Sequence, residues 1–165
     1  MDAAYNLARW LTRNEHDAED VVQEALLRAF TFFDGFRGVD SRAWVLKIVR
    51  NTCFTWLHAN RPREVTAVDS SELNEIPPAL YSGAGDDPEV LALRRTTATE
   101  LNDALAGLAA PLREVMVLRE LEGLSYKDIA AVIDAPIGTV MSRLSRARAD
   151  LRRSLLQSHC KGGGR

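Results

Sequence analysis

The chain has 165 residues, 46% hydrophobic and 27% charged, a composition that fits one or two globular domains and excludes a disordered or collagen-like chain. No apolar run approaches the roughly 20 residues a membrane-spanning helix needs, and the start Met1-Asp2-Ala3-Ala4-Tyr5 lacks a signal peptide's basic opening, so a cytoplasmic location is expected. The net charge of -2 conceals segregation: residues 64–90 hold seven acids and no Lys or Arg, whereas residues 137–165 hold seven basic residues and one acid, which suggests a polyanion partner for one end.

Nearly every periodic segment repeats at helical spacing, and no alternating strand pattern stands out. The expected fold class is therefore all-α. Ala3, Leu7, Trp10 and Leu11 form a first apolar stripe; Ala18, Val22, Ala25, Leu26, Ala29 and Phe33 a second; Val45, Ile48, Val49, Thr52 and Trp56 a third. Asp17 is the expected cap of the second helix and Ser41 that of the third. Residues 1–63 thus read as a small helical bundle. Residues 64–87 contain Pro77-Pro78 and Ser82-Gly83-Ala84-Gly85, lose the periodicity, and read as a flexible acidic linker. Fully extended, such a tether reaches about 80 Å at roughly 3.3–3.6 Å per residue, enough to hold two domains on separate DNA sites.

Asp87-Pro88 starts a second domain, residues 88–157, whose expected form is four helices. One helix should run to about Gly107. Another should start at Pro111, carry Leu112, Val115, Leu118 and Leu121, and stop at Gly123. Residues 158–165, ending in Gly162-Gly163-Gly164-Arg165, are expected to be a disordered tail.

From Ser125 to Arg148 the pattern is that of a helix-turn-helix. Ser125-Tyr126-Lys127-Asp128 fits a capping box, and Ile129, Val132 and Ile133 make a short buried stripe. Asp134-Ala135-Pro136 reads as a tight turn, because Asp tolerates the left-handed region and Pro cannot continue the first helix. The next helix, from about Ile137, turns Val140, Leu144, Ala147, Leu151 and Leu155 inward. Thr139, Ser142, Arg143 and Arg146 share the opposite face. Short hydroxyl side chains let a backbone approach a groove, and neighbouring arginines reach phosphates or guanine edges. A solvated basic face is the plainer reading of the same residues, but the cap, the turn and the basic end together favour DNA.

Three features of the first domain also ask for a partner. Asp20, Gln23, Glu24 and Leu27 form an outward face that leaves a leucine among acids and an amide, either a solvated face or a protein-binding one. Trp44, Lys47, Asn51 and Thr55 share another helix face; aromatic, basic and amide groups together can stack on and hydrogen-bond to unpaired bases, although a tryptophan packed at a domain edge fits equally well. Asn60, Arg61 and Arg63 close the domain with a basic cluster suited to phosphate.

Taken in order, these segments resemble bacterial RNA polymerase sigma factors. Asp17-Ala18-Glu19-Asp20-Val21-Val22-Gln23-Glu24-Ala25 is similar to the segment by which they bind polymerase. Phe36-Arg37-Gly38, Ala43-Trp44-Val45 and Ile48-Val49-Arg50-Asn51 resemble the part that opens the minus-ten element. Leu124 to Ala130 and Gly138 to Arg148 resemble the reader of the minus-thirty-five element. Two domains, a linker and no middle domain match the extracytoplasmic-function type. Two departures stand out: members commonly carry more residues before the position of Asp2, implying a truncated first helix, and Thr52-Cys53-Phe54-Thr55-Trp56 lacks the acid many members place there.

The resemblance implies that Asp17, Asp20, Gln23, Glu24 and Leu27 meet the clamp helices of the polymerase's largest subunit. It implies that Arg37, Asp40 and Ser41 grip a flipped-out base while Trp44, Lys47, Asn51, Asn60, Arg61 and Arg63 handle the minus-ten strand. Ser125, Pro136, Gly138, Thr139, Ser142, Arg143 and Arg146 would engage the minus-thirty-five element. The linker would thread the RNA-exit path, and an anti-sigma factor would hold the protein inactive, in a stress or envelope response. A stand-alone helix-turn-helix regulator is the competing reading.

No enzymatic role, cofactor or metal is expected. His16, His58 and His159 stand apart, and no glycine-rich phosphate loop occurs. Cys53 and Cys160 read as a buried thiol and a tail thiol.

Overall fold

The structure is a computed structural model that describes residues 2–38, 40–60 and 88–162, with side chains over 2–38, 40–60 and 97–157. The linker expected at 64–87 lies outside the described residues, as do Arg61 and Arg63.

Among the described residues seven α-helices follow in order: α1 (Asp2–Thr12), α2 (Glu15–Phe32), α3 (Ser41–Asn60), α4 (Pro88–Ala106), α5 (Ala110–Met116), α6 (Tyr126–Ile133) and α7 (Ile137–Gly162). No strand occurs among the described residues. The all-α class expected from periodicity is what the chain adopts, and α4 runs over almost the expected span. α7 continues to Gly162, through residues 158–162 where composition predicts a disordered tail.

In the first half, α1, α2 and α3 pack against one another. Their core is Leu7, Leu11, Ala18, Val21, Ala25, Leu46, Val49 and Cys53, each no more than 1% exposed. The expected stripes thus need correction. On α1, Ala4 and Ala8 are buried, whereas Ala3 and Trp10 are only partly so; on α3, Ala43, Leu46 and Cys53 join Val49 and Thr52, whereas Val45, Ile48 and Trp56 are partly buried. Phe33 leaves the stripe altogether at 59% exposure, because α2 ends at Phe32 and a 3-10 turn over Phe33–Gly35 swings it outward.

Both caps lie upstream of the expected residue. Asn14 starts α2, its side-chain oxygen accepting from the Asp17 N–H at 3.1 Å, so Asp17 sits inside the first turn. Asp40 starts α3, accepting from the Arg42 and Ala43 N–H groups at 2.9 and 3.2 Å, and Ser41 is the first helical residue. A carboxylate there satisfies two orphan donors and favours the helix's positive end.

The second half has a different organising device. α5 begins at Ala110, one residue before the expected Pro111, and runs into a π turn over Val117–Leu121, where the Glu122 N–H reaches the Val117 carbonyl at 3.1 Å. Leu121 is therefore 39% exposed rather than core. Gly123 closes the turn with φ +67°, a conformation that glycine adopts without strain. Arg113, just inside α5, is 5% exposed and donates to the carbonyls of Leu105, Ala106 and Leu108 at 3.2, 2.9 and 2.6 Å. It thereby closes the C-terminal end of α4, where free carbonyls attract a cation. Its fourth contact, 2.8 Å to the Trp10 carbonyl, crosses to α1.

The two halves are not held apart. α1 packs on α5 and the π turn, α3 packs on α6, and the buried apolar residues of both halves form one continuous cluster.

Candidate polymerase and nucleic-acid interfaces

The helix-turn-helix is built as its local sequence dictates. Ser125 caps α6, its hydroxyl oxygen accepting from the Asp128 N–H at 3.1 Å while the hydroxyl bonds to the Asp128 carboxylate. Ile129, Val132 and Ile133 are buried, and Asp134 takes the left-handed conformation at φ 55°. Pro136 then opens α7, its carbonyl accepting from the Thr139 and Val140 N–H groups at 2.9 and 3.3 Å. Val140, Leu144 and Ala147 are buried, each no more than 1% exposed, while Leu151 is partly buried.

On the opposite face Pro136, Gly138, Ser142 and Arg146 are exposed, and Thr139 is half-buried. A Cβ at Gly138 would meet nothing within 4 Å, so this turn presents bare backbone to its surroundings. The Ser142 hydroxyl donates to the Thr139 carbonyl at 3.0 Å. Arg143 does not join this set. Its Nη1 lies 3.1 Å from Oε1 of Glu114, a carboxylate with no exposed surface. Burial pushes the Glu114 carboxyl above its usual range, and the neighbouring Arg50 and then Arg143 oppose that shift. Removing a guanidinium that pairs with a buried acid is expensive, because the acid is left without that partner. Periodicity gives no warning of two exposed apolar side chains on this helix: Ile137 and Met141 are 46% and 54% exposed. Met141 lines an open groove with Tyr126, Ser145, Arg148 and Arg152.

On α2 the expected protein-facing residues share a surface. Asp20, Gln23, Glu24 and Leu27 are exposed, Leu27 by 64%, and Asp17 is half-buried. Glu24 pairs with Arg28 one turn on. Three aromatics near the end of α2 are also exposed, which periodicity does not suggest: Phe30, Phe32 and Phe33 by 80%, 63% and 59%.

The third set surrounds α3. Arg37, Asp40, Ser41, Asn51 and Asn60 are exposed. Trp44 is half-buried, its ring centroid 4.8 Å from that of Phe36 and 6.4 Å from that of Phe33. A Cβ at nearby Gly38 would stand 2.8 Å from the Phe36 ring, so any larger residue there would make that ring shift. Asn60 turns its amide back to the Trp56 carbonyl at 3.0 Å, and the Asn51 oxygen accepts from Arg50 at 3.2 Å. Lys47 is paired with Asp134 of the helix-turn-helix turn at 3.5 Å. Among the described residues, no group of three or more His, Cys, Asp or Glu could hold a metal, and no helix is long and apolar enough to cross a membrane.

Two family models match the chain, Sigma-70 region 2 over residues 1–63 and Sigma-70 region 4 over residues 98–151. The ECF RNA polymerase sigma factor SigG of two Mycobacterium tuberculosis strains is 50% identical over 54 residues, a stretch that is 32% of this chain and 15% of that relative. Among solved structures, the sigma factor RpoE in complex with the anti-sigma factor NepR from Bartonella quintana superposes with a TM-score of 0.68 at 29% identity, covering 93% of this chain and 90% of RpoE. CnrH in complex with the cytosolic domain of CnrY gives 0.62 at 26% identity, covering 94% and 81%. Matched in both halves and in this order, the chain belongs to the sigma-70 family, as a sigma factor of the extracytoplasmic-function type.

Proposed function

We propose that the chain is a promoter-specificity subunit that binds core RNA polymerase and directs transcription initiation, without catalysis of its own. The observation that carries this reading is the presence of region 2 ahead of region 4 on one chain, each with an exposed face of fitting chemistry. α2 would dock on polymerase through Asp17, Asp20, Gln23, Glu24 and Leu27. The loop and helix holding Arg37, Asp40, Ser41, Trp44, Lys47, Asn51 and Asn60, with Arg61 and Arg63 beyond them, would capture the unpaired minus-ten strand. Flipping a base costs a few kcal/mol of unstacking, which specific contacts there must offset. Ser125, Pro136, Gly138, Thr139, Ser142 and Arg146 would meet the upstream element, with Arg143 acting through Glu114 as a positioning residue. The protein works in the cytoplasm under an anti-sigma factor, a reading supported by its likeness to RpoE, which was solved in complex with NepR.

Run-off transcription with purified core polymerase tests the reading directly. Transcripts should need both proteins, and the chain alone should bind promoter duplex weakly. Tight operator binding without core would instead favour a stand-alone helix-turn-helix regulator. In the same assay, Asp20→Ala with Glu24→Ala should weaken core binding; normal core affinity in that double variant would remove α2 from the polymerase contact.

A further inference from the structure

The exposed face of α7 carries two apolar side chains among hydroxyls and cations. Ile137 and Met141 are 46% and 54% exposed. Standing four residues apart, they share one side of the helix, a turn from each other. Ser145, the next position along that side, is exposed as well. Gly138 between them has no side chain, and a Cβ there would meet nothing within 4 Å. The first turns of α7 can therefore come close to whatever they face, and Met141 is carried in with them.

The groove that Met141 lines has a held wall and a cationic rim. The wall is Tyr126, whose ring lies under the Arg119 guanidinium, 5.0 Å from the ring centroid; Arg119 is itself fixed by donating to the Leu124 carbonyl at 2.7 Å. The rim includes Arg148, half-exposed beside Glu120, and the exposed Arg152. An apolar side chain inside a ring of cations fits duplex DNA. Phosphates flank the major groove, and its chief apolar feature is the 5-methyl group of thymine. The hydroxyls and guanidinium near Met141 suit the donors and acceptors of base edges. A thioether chain does not, but its flexible, polarizable atoms suit a methyl group.

We propose that Met141, on the apolar side it shares with Ile137, is a specificity-determining residue for the upstream element and reads the 5-methyl group of thymine in the major groove. Ser142 and Arg146 then supply polar readout, while Met141 selects thymine over cytosine at its own base pair. Burying one methyl group against an apolar side chain corresponds to about a fourfold change in affinity. The inference rests on the reading of α7 as the helix that meets the upstream element.

The test uses the full chain assembled with core RNA polymerase. Promoter duplexes with a randomised upstream element are selected by binding, and each thymine of the enriched element is then replaced singly by deoxyuridine, which removes only the methyl group. At one or two positions the parent protein should lose affinity by about fourfold. This series needs no variant, so it stands whatever a substitution does to folding. Met141→Ser should bind the thymine duplex as weakly as the parent binds the uracil one and lose nothing more on replacement, with its preferences at the other positions unchanged. Met141→Leu should recover the methyl sensitivity. A merely structural role for Met141 would lower binding to thymine and uracil duplexes alike. The proposal is overturned by an enriched element without a methyl-sensitive thymine, which would leave this side of α7 to a protein surface, or by a sensitivity that persists in Met141→Ser. Failure to enrich any upstream sequence would instead overturn the reading of α7 itself, and the proposal with it.

Discussion

α3 and α7, the two helices proposed to meet DNA, expose their basic residues in opposite ways. α7 leaves Gly138, Ser142 and Arg146 open and commits Arg143 to a buried acid of its own half. α3 leaves Trp44 and Asn51 on its flank and has Arg42, Lys47 and Arg50 all paired across to the other half. Freeing α7's face requires no separation of the halves, whereas freeing α3's does. The number of arginines on a helix therefore says little about how many are available. The carboxylates that tertiary packing brings to them decide that.

The strongest perturbation should come from the frame on which α7 is mounted. Arg113 is charged at neutral pH, even though burial and then Arg13 lower its pKa to about 10. Arg113→Ala strips a charged donor from four carbonyls and should cost about 3 kcal/mol or more in urea unfolding. A loss within experimental error would show that the α4–α5 corner is held by apolar packing alone.

Next comes the contrast between the two arginines of α7. Arg143→Ala leaves buried Glu114 with Arg50 alone and should lower stability by about 2 kcal/mol, before any effect on DNA. Arg146→Ala should leave stability within about 0.5 kcal/mol. Its effect should fall on upstream-element binding, by about 1–3 kcal/mol if the side chain meets a base edge. Equal stability losses in the two variants would erase the distinction drawn between them.

A smaller change sharpens the local contribution to the helix-turn-helix. Ser125→Ala removes the cap of α6 and should cost about 1 kcal/mol, read from the denaturation midpoint. The mildest probe concerns Cys53, which is fully buried and whose thiol is pushed up to about 12, chiefly by burial. Alkylation at pH 8 should leave it unmodified in the native chain and reach it only after unfolding. Rapid labelling of Cys53 itself in the native chain, told apart from Cys160 by peptide mapping, would show that the core of the first half opens.

Much of the helix-turn-helix is legible in the residues themselves. The Ser125 cap, the left-handed Asp134, the stripe Ile129, Val132 and Ile133, and the buried Val140, Leu144 and Ala147 all agree with the local pattern. Each depends on residues within a turn or two of one another, where periodicity and capping chemistry act directly. The first half is less legible. Its caps fall to Asn14 and Asp40, three residues and one residue before those expected, because several polar residues near a helix start can supply the accepting oxygen and only the backbone path chooses between them. Phe33 is misplaced by periodicity because extending a stripe past the true helix end rotates a residue from core to surface. Phe30 and Phe32 escape it because periodicity marks what is buried and is silent about apolar residues left outside.

Local sequence is enough to make this chain helical, to give its halves different charge, and to mark its C-terminal part as a helix-turn-helix; repeat, cap and composition all act over short separations. Which charged groups are free is settled by long-range packing instead. Arg50 and Glu114 stand 64 positions apart, Arg42 and Glu122 stand 80 apart, and Asn6 and Glu122 stand 116 apart. No period joins residues at such separations, and whether a carboxylate is enclosed depends on which surfaces meet in the folded chain.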